Sequence, residues 1–224
     1  MANLEKTTLF ESALWANMND SEKESLYQCL DIRLKSFAKD SPIIFIGQHV
    51  THLGVLVSGQ AVVVAENIEG QRNVIAFISP GELFAEVYAL SGKSSGVAVY
   101  AQTQVKVAFI NAREATTVCQ SACPHHKQLI WNLMHIVSTK NVALNEKIQC
   151  LGQRGIREKI SIFLALKHNQ FGGDIFDIHM NRQEMADYLC VDRSALSAVL
   201  SKMKEEGIID YHKSSFSLKH KEQL

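Results

Sequence analysis

Arg193 and Ser194 begin the segment RSALSAVLSKMK, in which Ser197 and Ser201 recur on a face nearly free of apolar residues. A guanidinium can bond the two major-groove acceptors of guanine at once, and a serine hydroxyl, small and able to donate or accept, bonds base edges less selectively. The chemistry on offer is readout of a nucleic acid, with Arg193 the strongest candidate for a guanine contact. Lys202, Lys204, Lys213 and Arg182, together with the free amides at helix N-termini, suit phosphate oxygens. Any one of these side chains alone would pass for a solvated surface residue.

A second cluster is Cys119-x-x-x-Cys123-Pro124-His125-His126, which with Cys150 could bind a metal or act as a thiol switch. Its spacing matches no strong zinc pattern, and Cys119 and Cys123 would stand one turn apart on a helix, where cysteine packs as a small hydrophobe; that structural reading is the better one. As nucleophile and base the cluster lacks an orienting acid and an oxyanion site. With no phosphate loop or paired carboxylates either, the chain is not expected to be an enzyme.

The elements that must hold Arg193 are readable around it. Asn181 and Glu184 are spaced as a capping box, Met185, Ala186 and Leu189 form a short apolar face, and Cys190-Val191-Asp192 makes a turn. Asp192 can accept from the free amides of the next helix, whose buried stripe is Leu196, Val199, Leu200 and Met203. GIIDYHKSSFSLKH then reads as a β-hairpin wing. Two short helices, a tight turn and a wing make a winged helix-turn-helix, so the polar face starting at Arg193 becomes that of a recognition helix. Before it come a helix with Ile160, Phe163, Leu164 and Leu166, and a Gly172-Gly173 break.

Upstream, residues 9–40 look helical, with Leu14, Trp15 and Met18 on one face and Ser21 with Glu24 as a capping box; from Phe37 the period changes. The runs PIIFIGQ, HLGVLVSGQAVVVAEN, RNVIAFISPGELF and GVAVYAQTQVKVAFI are short, β-branched and punctuated by glycine, as in an antiparallel sheet closed into a roll or barrel. Helical pattern returns after Ile110, and Pro124 starts the longest helix. There Ile130, Met134, Val137, Asn141, Leu144, Ile148 and Leu151 alternate by four and three, a two-stranded coiled-coil seam with one polar member, Asn141, at an a position that favours a parallel dimer in fixed register. Leu129, Leu133 and Ile136 form a second stripe in the first half only, so that half is expected to be buried on two sides. The alternative for the seam is a core helix of a monomer.

The fold class is thus α+β: an N-terminal antiparallel β-roll of the jelly-roll type with flanking helices (1–123), a long dimerisation helix (124–152) and a C-terminal winged helix-turn-helix (153–224). With 224 residues, 46% of them hydrophobic, the chain can bury two cores. Lys+Arg and Asp+Glu both total 23, so any polyanion-binding surface must be local. The N-terminus lacks a basic segment followed by an apolar run, no stretch is long enough to span a bilayer, and five scattered cysteines suit reduced thiols; a cytoplasmic location away from membranes is expected.

The segments NRQEMADYLCVDRSALSAVLSKMKEEGII and ISPGELFAEVYALSGKSSGVAVYAQTQVKVAFI, with the long helix between them, resemble the Crp/Fnr family of transcription regulators over nearly the whole chain. The resemblance implies a cyclic-nucleotide-binding-like β-roll, a dimerisation helix and a winged helix. It further implies a palindromic double-stranded DNA target for the homodimer, contact with RNA polymerase, and an effector in the roll that shifts the geometry of the paired recognition helices. The family's ligand segment falls on Glu82, Glu86, Ser94 and Ser95, and Asn145 joins them from the helix that faces the roll.

Departures from the family narrow the effector. Glu86 matches the Glu that bonds the ribose of cyclic AMP. The Arg-Ser pair that holds the cyclic phosphate falls around Ser95-Gly96, and no arginine lies between Arg72 and Arg113. A charged hydrogen bond worth about 1.5–3 kcal/mol is missing, which argues against cyclic AMP; Lys93 supplies only a point charge. The iron-sulfur branch uses a cysteine group near the N-terminus, where this chain has only Cys29, so an Fnr-type cluster is disfavoured as well. His135 on the long helix is a candidate haem ligand of the sort some relatives use, although a lone helical His is more often simply packed or solvated. In the reading helix, Ser194 and Ala198 replace the family's second and third readers, so the operator should differ from the best-known half-sites. Cys190 sits where the turn usually has Gly; a left-handed backbone there would cost about 1 kcal/mol and leave an exposed, oxidisable thiol near DNA.

Overall fold

The computed structural model describes residues 2–66, 72–117 and 125–219, in two compact units, Met1–Ser138 and Thr139–Leu224. The first begins with α1 (Ala2–Glu11), a 3-10 turn (Ala13–Trp15) and α2 (Asp20–Cys29). The strands are β1 (Arg33–Phe37), β2 (Pro42–Ile44), β3 (His52–Ser58), β4 (Ala61–Glu66), β5 (Arg72–Ile78), β6 (Leu83–Phe84), β7 (Ala98–Ala101) and β8 (Val105–Asn111); α3 (Glu86–Ser91) separates β6 from β7, and α4 (Ala112–Thr116) follows β8. They form two antiparallel four-stranded sheets, ordered β1-β8-β3-β6 and β2-β7-β4-β5.

Alternation along β3 divides the packing, because successive side chains point to opposite faces. Leu53, Val55 and Val57 join Leu14, Trp15, Leu26, Ala108 and Ile110 in one core, whereas Leu56 joins Ile44, Phe84, Val99 and Val107, drawn from both sheets, in the other. Gly54 is required by that second packing: a Cβ there would stand 2.4 Å from the Phe84 ring.

Two sequence readings need correction. The capping box of α2 is Asn19 with Glu22, not Ser21 with Glu24: Asn19 Oδ1 accepts from the Glu22 amide at 3.0 Å, and Glu22 accepts from the Asn19 amide at 2.8 Å. The strands also begin at Arg33 rather than after Phe37; β1 is an edge strand whose first four residues are exposed, so it carries no apolar alternation to announce it.

The boundary between the units falls inside α5 (His125–Leu151), so the long helix is shared between them. Pro124, Cys119 and Cys123 lie outside the described residues. Leu129 and Leu133 are buried in the core of the first unit, with Ile136 packed against it, as the second stripe requires. Asn132, also buried, fixes that contact by donating to the carbonyls of Leu14 and Ala16 at 3.0 and 2.8 Å. The second unit continues with α6 (Ile156–Phe171), β9 (Phe176–Asp177), α7 (Arg182–Leu189), α8 (Arg193–Glu205), β10 (Ile209–His212) and β11 (Ser215–Leu218). Its core is Phe163, Leu164, Met185, Leu189, Leu196, Leu200, Met203 and Phe216. The wing has a third strand that the sequence reading lacked, in the order β10-β11-β9.

Candidate functional site

The turn between α7 and α8 is built largely from local hydrogen bonds. Asn181 caps α7 and closes its box with Glu184. Cys190 ends the helix in the left-handed region, φ 50°, its amide turned back to the carbonyls of Ala186 and Asp187. From α6, Lys159 Nζ donates to the Leu189 carbonyl at 3.2 Å. Asp192 then caps α8, one oxygen accepting from the amides of Ser194 and Ala195 at 2.8 and 2.9 Å. The Ser194 hydroxyl donates to the same oxygen; that bond, then the Ala195 amide, hold the Asp192 carboxyl below the usual carboxylate range.

The structure sorts the proposed readers. Arg193, Ser201 and Lys202 are exposed along the face of α8 opposite Leu196, Leu200 and Met203. Ser194 is engaged in the cap, and Ser197, half-buried, donates to the Arg193 carbonyl at 2.9 Å, so both hydroxyls are committed within the helix. Lys204 turns to the wing, 2.7 Å from Asp210 and 3.2 Å from the Tyr211 carbonyl.

Arg182 is half-buried, its guanidinium stacked on the rings of Tyr211 at 4.6 Å and Phe216 at 5.1 Å. Burial lowers its basicity, with Tyr211 opposing, and its Nη1 is buried without a hydrogen-bond partner. Arg182, Arg193 and exposed Lys213 line one open cleft of about 760 Å³, together with His179, Met180, Asn181, Gln183, Tyr211 and Ser214. His179, Gln183 and Tyr211 were not singled out from the sequence, for their place in the cleft depends on how the wing folds back on α7.

The candidates in the first unit have local partners. Glu82 accepts from the Ser79 amide at 2.7 Å, stapling its own turn. Glu86, the first residue of α3, is buried and follows a left-handed Ala85, φ 65°. Ser94 is exposed in a bridge with His49. Ser95 is buried, and its hydroxyl donates to the Val97 carbonyl at 2.7 Å. Asn145 belongs to the second unit, exposed, donating to Asn141 Oδ1 at 2.9 Å.

Along α5, Met134, Leu144 and Ile148 are 60%, 59% and 65% exposed, Asn141 is exposed, Ile130 and Leu151 are half-buried, and Val137 packs partly against the first core. His135 is exposed. His126 is buried with Nδ1 unpartnered, and burial, then the neighbouring His125, pulls its pKa down. Cys150 is buried, which pushes its thiol up. Among the described residues no three His, Cys, Asp or Glu side chains gather where they could hold a metal ion, and no helix is long and apolar enough to cross a membrane.

A family model described as a cyclic nucleotide-binding domain matches residues 34–122, and one described as a Crp-like helix-turn-helix domain matches residues 158–224. The chain is 24% identical over 206 residues to the transcriptional activator protein FnrL of Cereibacter sphaeroides, covering 88% of this chain and 79% of that protein. It is 23% identical over 174 residues to the cyclic AMP receptor protein of Thermus thermophilus, covering 77% of each. A solved structure of CprK complexed with OCPA shares the fold, with a TM-score of 0.68 at 16% identity over 92% of this chain and 94% of that one. A cyclic nucleotide-binding domain and a Crp-like helix-turn-helix in one chain, joined by a long helix, make this protein a member of the Crp/Fnr family of DNA-binding transcription regulators.

Proposed function

We propose that the chain acts as a homodimeric, sequence-specific regulator, controlled by a small effector or redox state other than cyclic AMP sensed in its first unit. The cleft lined by Arg182, Arg193 and Lys213 carries the DNA part of this reading: it gathers three cations and no carboxylate in its lining, beside the first residues of α7 and α8, as a phosphate-facing surface requires. In this reading Arg193 bonds guanine, Ser201 serves as a secondary reader, as do Ser194 and Ser197 once released from their local bonds, and Lys202, Lys213 and Arg182 face phosphates. Two copies joined along α5 at Ile130, Met134, Val137, Asn141, Leu144 and Ile148 read a palindromic duplex, and RNA polymerase is the further partner.

The effector, bound in the first unit among Glu82, Glu86, Ser94 and Ser95, shifts a two-state equilibrium between reading and non-reading arrangements. What speaks against cyclic AMP is Ser95, whose buried hydroxyl is turned to a backbone carbonyl where a cyclic phosphate would need a cation. The test is selection of duplexes from a randomised pool by the wild-type protein and by Arg193→Ala. The variant is expected to lose about 1–3 kcal/mol of discrimination at one base pair in each half-site; an unchanged preference would remove Arg193 from the reading face.

A further inference from the structure

Asp177 closes β9 opposite Ser215 of β11. One of its carboxylate oxygens accepts from the His179 amide at 2.6 Å and lies 3.3 Å from that residue's ring Nδ1. The other accepts from the hydroxyls of Ser214 and Ser215 at 2.8 and 3.1 Å. The Ile178 amide adds a bond to the Ser214 carbonyl at 3.0 Å. A single carboxylate therefore ties the segment leading into α7 to the turn of the wing. That turn begins with Lys213, a left-handed residue with φ 53° at the tip between β10 and β11. Lysine gains nothing local from this conformation, which persists only where its surroundings impose it.

The sign of the charge is informative. His179, Ser214 and Lys213 line the basic cleft, so an acidic group tied to two of them weakens the attraction of any polyanion there. Its retention in that place is explained by geometry: a carboxylate offers about four acceptor sites, and bonds to a charged acceptor are roughly twice as strong as neutral ones.

We propose that Asp177 is a positioning residue for DNA binding, setting the wing turn so that Lys213 stands at the mouth of the cleft facing a backbone phosphate. The proposal rests on the DNA reading above. Hydrogen bonds to the His179 amide and to the two wing hydroxyls hold the Asp177 carboxyl below the usual carboxylate range, as expected of an acceptor kept ionised in this role.

The test uses the full chain and a duplex that the wild-type protein selects from a randomised pool. If Asp177 were only a surface charge, Asp177→Ala should tighten binding. Positioning predicts the opposite: about fivefold to tenfold weaker binding, a salt slope shallower by about 0.9, the value of one phosphate contact, and no further loss when the change is made in a Lys213→Ala background. Ser214→Ala with Ser215→Ala removes two of the donors and should reproduce the effect in part, which keeps the proposal testable should Asp177→Ala fold poorly. Tighter or unchanged binding by both variants, or losses that add to that of Lys213→Ala, would overturn it. A wild-type protein that selects no duplex overturns the DNA reading and this inference together; wild-type selection altered by Arg193→Ala but indifferent to Asp177 overturns the inference alone.

Discussion

Cys190 and Arg182 show how one side chain's setting decides its role. Cys190 takes the left-handed conformation at the C-cap of α7, where a Cβ crowds the backbone and glycine does not. Its thiol is exposed and makes only a long contact, 3.7 Å to the Asp187 carbonyl, so little packing is lost with it. Cys190→Gly is expected to stabilise the second unit by about 0.5–1 kcal/mol, the relief of left-handed strain less the added freedom of the unfolded chain. A lower denaturant midpoint in urea would show that the side chain contributes more than its contacts suggest. This position was legible in the sequence because the turn around it is short and local. Arg182 was only half legible: its place at the start of α7 suggested a phosphate contact, but the rings that hold its guanidinium, Tyr211 and Phe216, stand far along the chain and meet it only through the wing.

At the scale of elements, the legible parts were those with a dense or periodic apolar pattern: β3, buried on both faces, the short helices of the winged unit and the doubly striped first half of α5. The opening of α2 was misplaced because Asn19-x-x-Glu22 and Ser21-x-x-Glu24 satisfy the same capping rule, and only the path of the chain out of the 3-10 turn selects the first. The start of α5 carries a consequence for stability that no spacing revealed. His126 is buried there, and burial pulls its pKa below the ordinary value of about 6.5. In the window between the lowered folded pKa and that unfolded value, the unfolded chain binds more protons than the folded one, so stability rises with pH. The contribution is complete above about pH 6.5 and is lost as pH falls through that window. Thermal melts of the full chain between pH 7.5 and 5 should show the first unit weakening on acidification, and His126→Gln should flatten that dependence. An equally steep profile in the variant would assign the acid sensitivity to other groups.

For the whole molecule, the exposed stripe on α5 is the feature a lone chain does not explain. Met134, Leu144 and Ile148 stay more than half exposed while Leu129 and Leu133 of the same helix are buried in the first core. Burying a side chain of this size completely is worth about 1.5–3 kcal/mol, so a parallel pair of α5 helices would gain from both copies at the layers of Met134, Leu144 and Ile148. Asn141, the one polar member, costs stability in such a seam but fixes its register. Register matters to a reader of palindromes, because two recognition helices must reach half-sites one helical turn of DNA apart, and slippage along α5 would break that spacing. Leu144→Glu with Ile148→Glu places like charges at neighbouring layers and is expected to give a monomer by sedimentation, with each unit still folded and binding to a palindromic duplex reduced by orders of magnitude at low protein concentration. Asn141→Leu is expected to act differently, keeping or strengthening association while losing the single register, so that mixed oligomers appear. If the double glutamate variant remained a dimer, the seam would lie elsewhere and the stripe on α5 would need another cover. If it became a monomer yet bound a palindrome as tightly as the wild type, the seam would stand but paired recognition would not.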